Sequence, residues 1–166
     1  MPGSNAKRVV HSFIFHVGAA PERVFPLLCP VREYDWIDGW ACQLVHSESG
    51  LVEQGCIFVT DHPPEGRTIW VTALHDPAAF RVEFLRVTPE THVSQMALSV
   101  AREGTAGSTV EVSYTFTALN DRGNALLALL EDGRALADRT GRLGRSIDYF
   151  LSTGAMLRPY GGVAAG

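Results

Sequence analysis

RTIWVTALHDPAAFRVEFLRVTPETHVSQMALSVAREGTAGSTVEVSYTFTAL, residues 67–119, is the stretch that decides the fold. Apolar and polar side chains alternate through it with period two, as in strands that are buried on one face. The alternation breaks at Asp76-Pro77, at Thr88-Pro89 and between Gly104 and Gly107, where residues suited to turns cluster. If each loop closes a hairpin about its midpoint, residues directly opposite share a face. About Asp76-Pro77, Trp70 then opposes Phe84, Thr72 opposes Val82 and Leu74 opposes Phe80. About Pro89, Phe84 opposes Met96, Val82 opposes Leu98 and Phe80 opposes Val100. About Thr105, Met96 opposes Tyr114, Leu98 opposes Val112 and Val100 opposes Val110. The even-numbered face is apolar throughout. The other face carries Arg81, Glu83, Gln95, Ser99, Glu111, Ser113 and Thr115, and a one-residue slip would bury that polar set.

Upstream, Val9 to Val17, Trp40 to Ser47 and Cys56 to His62 read as further strands. Between the first two, Pro21 opens a short helical piece, and Pro30 ends it while starting a second through Trp36. Downstream, Asp121 is a plausible N-cap for one long helix to Thr153, with apolar residues at Leu126, Leu129, Leu130, Leu136, Leu143, Ile147, Phe150 and Leu151. That helix is the element available to cover the apolar face. Its middle is thin, with Gly133, Ala137, Thr140, Gly141 and Gly144. Interior glycines either mark a kink or leave room between helix and sheet for a cavity.

Candidate lining residues for such a cavity are Trp36, Trp40, Phe58, Trp70, Phe84, Met96, Tyr114 and Phe116. At one end of the same face the apolar rows give way to Thr60, His62, Thr68, Arg86, His92 and Ser94. Thr60, His62 and Arg86 read as a polar rim that orients a mostly apolar ligand, with Arg86 toward an acidic or phenolate group and Tyr114 donating a hydrogen bond. The competing reading takes them as strand ends reaching water, with Arg86 snorkelling past the edge.

The 166 residues are 46% hydrophobic and 19% charged, enough for one domain with a sizeable core. Net charge is −4 at pH 7 and the positive charge is almost all arginine, which argues against nucleic acid as partner. Cys29, Cys42 and Cys56 lack the spacing of a zinc site and are expected as reduced thiols. Cys42 and Cys56 would oppose each other if the hairpin about Ser49 is symmetric. The first residues do not resemble a secretion leader, and no apolar run is long enough to span a membrane, so cytoplasmic residence is the default expectation. There is no HExxH, no G-x-S-x-G and no phosphate-cradling loop, and the six histidines are scattered. No metal, cofactor or catalytic set is implied, and the oligomeric state is left open. Residues 1–8 and 156–166 are expected as flexible tails around a single domain, 9–155.

The stretch His16 to Leu28, containing Ala19-Ala20-Pro21-Glu22-Arg23-Val24-Phe25, resembles the "a-x-P-E-x-V-F" opening of the START-like, polyketide cyclase/dehydrase and lipid-transport superfamily (SRPBCC). Trp36-Ile37-Asp38-Gly39-Trp40 is similar to its "W-x-x-G-W" entry to the second strand. The resemblance implies an α+β helix-grip fold, a seven-stranded antiparallel sheet wrapped around a long C-terminal helix with two short helices after the first strand. It also implies a cavity for a hydrophobic small molecule, lipid-like or polycyclic. Three functions are compatible with it: binding or transport of such a molecule, a polyketide cyclase or dehydratase acting in the same cavity with help from Arg86, Tyr114 or His62, and a co-chaperone-like interaction module.

Overall fold

The computed structural model describes residues 5–63 and 66–159. In chain order the elements are β1 (Arg8–Val17), α1 (Pro21–Val24), two 3₁₀ turns (Phe25–Leu27 and Arg32–Asp35), β2 (Gln43–His46), β3 (Ile57–His62), β4 (Gly66–Asp76), β5 (Arg81–Thr88), β6 (His92–Glu103), β7 (Gly107–Ala118), α2 (Asp121–Ala128) and α3 (Arg134–Thr153). The strands form one seven-stranded antiparallel sheet in the order β1-β7-β6-β5-β4-β3-β2. The meander from β2 to β7 is therefore sequential, and β1 joins it by pairing with β7. Of the expected tails, residues 1–4 and 160–166 lie outside the described residues, and Leu157 forms a parallel bridge to Ile37.

Across β5, β6 and β7 the register is the one the alternation predicts. Phe84, Met96 and Tyr114 form one row, Val82, Leu98 and Val112 the next, and Val100 faces Val110. Val82, Val110 and Val112 are fully buried. From β1, Phe13 faces Val112 and Phe15 faces Val110.

Between β4 and β5 the register differs from the symmetric hairpin. Trp70 faces Arg86 and Thr72 faces Phe84; a bulge between Thr72 and Leu74 then sets Leu74 against Glu83 and His75 against Val82. The turn Pro77–Phe80 is longer than a tight reversal. Asp76 caps it by accepting from Ala79 N–H at 3.0 Å, and Phe80 has a φ of 52°. The bulge adds one residue to β4, so beyond it the inward positions change from even to odd. His75 rather than Leu74 turns inward, and its ring stacks on Phe25 at 5.5 Å; burial holds its pKa below the ordinary value. The β2–β3 hairpin is also asymmetric, with Leu44 opposite Phe58 and Gln43 opposite Val59. Cys42 and Cys56 are consequently not opposed, and all three cysteines are free.

The single long helix expected from Asp121 to Thr153 is two helices. Asn120, not Asp121, is the N-cap of α2, its side-chain oxygen accepting from Gly123 N–H at 3.0 Å. Gly133, with φ 71°, is the left-handed residue at which the chain turns into α3. The break resets the helical phase, so Leu127 is buried and Leu129 is 73% exposed. Gly144 has a different role. A Cβ there would lie 2.8 Å from the Phe15 ring, so its lack of a side chain lets α3 settle directly on β1. At this point the thin helix face gives close packing, not empty space.

Candidate functional site

A cavity of about 300 Å³ lies between the sheet, α3 and the segment from Leu28 to Trp40. Its sheet wall is aromatic because the inward positions of neighbouring strands fall in register. Phe58 and Trp70 face each other across β3 and β4, and their rings stack at 5.1 Å. Phe84 meets both edge-on, at 6.0 Å and 5.7 Å, the arrangement that ring quadrupoles favour. Met96 and Tyr114 continue this wall, and Leu143 and Ile147 of α3 close the opposite side.

The polar groups of the tryptophans are engaged within the protein. Trp36 Nε1 donates to Leu27 O at 3.1 Å, Trp40 Nε1 to Pro30 O at 2.8 Å and Trp70 Nε1 to Thr60 Oγ1 at 2.9 Å. Trp40 and Trp70, both half-buried, therefore keep ring surface toward the cavity, and Trp36 is fully buried at its edge. Trp40 also packs against the His62 ring at 5.6 Å, and His62 Nε2 is buried with no hydrogen-bond partner among the described residues. Deeper in, Thr68 Oγ1 and Thr88 Oγ1 bond at 2.8 Å, and Tyr114 OH lies 3.3 Å from Thr140 Oγ1 of α3.

Arg86 does not snorkel. It is 3% exposed, and its guanidinium carbon sits 4.2 Å from the Trp70 ring centroid, a cation–π stack inside the fold. Arg139 and Arg142, three residues apart on α3, join it on the cavity wall. They lie on the stretch of helix read as thin, where arginine stems cover surface as apolar side chains do.

Glu33 borders the same space. It is half-buried, and the protein packed around it pushes its carboxyl up to about 8, because displacing water from around a carboxylate disfavours its charged form. Trp36, Trp40, Phe58, Trp70, Phe84, Met96, Tyr114, Thr60, His62 and Arg86 all reach this cavity. Phe116, expected on its wall, does not. It lies behind Tyr114, stacked at 6.1 Å, with Arg86 at 6.0 Å from its ring. Glu33 and the two α3 arginines were not among the expected site residues. The spacing of Glu33, Trp36 and Ile37 was the available signal, since i, i+3 and i+4 share a face of a helical turn.

No protein-family model matches the sequence, and no curated protein matches it. Solved structures do match. Norcoclaurine synthase from Thalictrum flavum, in complex with dopamine and hydroxybenzaldehyde, superposes with a TM-score of 0.64 at 10% identity, over 89% of this chain and 88% of that one. Ara h 8.0201 gives 0.56 at 14% identity over 87% and 99%. DynU16, a putative protein in the dynemicin biosynthetic locus, gives 0.55 at 17% identity over 88% of this chain and 48% of its own. At these identities the likeness establishes the fold. The chain has the helix-grip fold seen in these structures.

Proposed function

We propose that this helix-grip protein binds a compact, hydrophobic, aromatic molecule in the cavity between its sheet and α3. The observation that carries the reading is the wall of Phe58, Trp70 and Phe84, whose rings line an internal space that the helix leaves unfilled. Its volume is at the low end of the roughly 300–1,000 Å³ typical of small-molecule sites. A molecule of one or two rings suits it better than a long acyl chain. The norcoclaurine synthase structure, with two single-ring aromatic compounds bound, supports that size class. Three free thiols support residence in a reducing compartment such as the cytoplasm. Among the described residues no helix is long and apolar enough to cross a membrane.

Native mass spectrometry of the purified protein tests the reading. A co-purified small molecule, released on denaturation and lost in a Trp70→Ala variant, is the expected result. Bare protein that no aromatic compound stabilises in a thermal-shift screen would contradict it, since a ligand that binds only the folded state must raise Tm.

A second reading, a cyclase or dehydratase, is favoured by the Tyr114 hydroxyl and the Glu33 carboxyl on one apolar cavity. Such groups can relay protons to and from an enolising substrate. Cyclisation of a poly-β-keto thioester that falls at least tenfold in Tyr114→Phe supports it; a rate unchanged by that substitution contradicts it.

A further inference from the structure

Glu33, on the cavity wall, makes no side-chain hydrogen bond or ion pair among the described residues. Glu33 belongs to the 3₁₀ turn Arg32–Asp35, in which Arg32 Nε and Asp35 Oδ2 pair with each other at 2.8 Å. Glu33, Trp36 and Ile37 instead follow helical spacing onto the cavity side. The backbone there is firmly held. Glu33 N–H donates to Cys29 O at 2.9 Å, and Glu33 O accepts from the N–H groups of Trp36 and Ile37 at 3.3 Å and 2.8 Å. The side chain, in contrast, makes no hydrogen bond or ion pair among the described residues.

The other charged or titratable groups on this wall are Asp38, His62, Arg86, Tyr114, Arg139 and Arg142, and Cys42 lies beside Glu33. Loss of water around this half-buried carboxyl pushes it up to about 8. Well below that value Glu33 is a carboxylic acid, a hydrogen-bond donor as well as an acceptor. A donor on this wall without a partner among the described residues gains from an oxygen that the ligand supplies.

We propose that Glu33 donates a hydrogen bond to a carbonyl oxygen of the bound molecule, which makes neutral aromatic ketones and aldehydes the preferred ligand class. This rests on the cavity being a ligand site. It requires no covalent step, and the proton stays on Glu33. An ammonium compound would need the ionised form instead.

The test is an NMR titration with 1-indanone and indane, the same bicyclic skeleton with and without a carbonyl, at pH 6.5 and pH 9.5. The expected result for wild type is about tenfold tighter binding of 1-indanone at pH 6.5, the effect of one hydrogen bond, with the preference lost at pH 9.5. Glu33→Gln, which keeps a donor at both pH values, should hold the preference at both; Glu33→Leu should show it at neither. Equal preference in wild type and Glu33→Leu overturns the inference while leaving the cavity a ligand site. So does tighter binding of 1-aminoindane than of 1-indanone at pH 6.5. If neither skeleton binds saturably, the ligand-site reading falls and this inference with it. A readout independent of ligand is the ¹³C carboxyl resonance absent from Glu33→Gln, which should titrate near 8; titration near 4.5 overturns the inference.

Discussion

Glu33 and Thr60 show how single residues set the character of the cavity. In the unfolded chain Glu33 titrates at its ordinary value of 4.5, and in the fold it is raised to about 8. Between those values the folded protein keeps a proton that the unfolded chain has released. The stability this group contributes is thus fully present below about 4.5 and is lost as pH rises toward 8. The loss amounts to a few kcal/mol at most. Urea unfolding of wild type and Glu33→Gln from pH 4 to pH 9 should therefore show the variant gaining on wild type across that window and the difference levelling above pH 8. Parallel curves would contradict this placement of the carboxyl. Thr60 acts on the same wall as the acceptor for Trp70 Nε1. Thr60→Val keeps the shape and removes that oxygen, and should destabilise the protein by about 1–2 kcal/mol in the same assay.

At the scale of elements, the two interior glycines of α3 make opposite predictions. Gly144→Ala drives a methyl into the Phe15 ring and should cost about 1–3 kcal/mol through overpacking. At Gly141 a Cβ would meet nothing closer than the end of the Arg145 side chain at 3.5 Å. Gly141→Ala should therefore stabilise by up to about 1 kcal/mol through helix propensity. Equal effects on Tm would refute the close approach of α3 to β1. The same helix shows where sequence stops being legible. Leucines recur at helical spacing on both sides of Gly133, and periodicity alone does not register the left-handed residue that divides α2 from α3. The β5–β6–β7 registers were legible because strict alternation meets short turns there. The β4–β5 register was not, because a bulge and a long turn shift partners without disturbing composition.

Across the whole molecule, the core and the cavity share one apolar sheet face. Toward β1, Gly144 brings helix and sheet into contact; toward β3 and β4, α3 and the 28–40 segment stand away from the aromatic wall. Most of that wall was legible in sequence, since alternation places Phe58, Trp70, Phe84, Met96 and Tyr114 on one face. For Glu33 the one signal was its spacing to Trp36 and Ile37, and a four-residue 3₁₀ turn does not repeat that spacing into a period. Met96→Trp, which adds bulk inside the cavity, should weaken ligand binding at least tenfold in calorimetry while the protein stays folded. Unchanged affinity would place the ligand elsewhere.

The central claim, that a hydrophobic molecule occupies this cavity, is tested most directly by following the three indole N–H resonances during titration with indane and 1-indanone. Trp36, Trp40 and Trp70 all line the cavity, so the account predicts saturable shifts at these signals with a common Kd. Saturable shifts confined to residues outside the cavity, or no saturation with either compound, would contradict it.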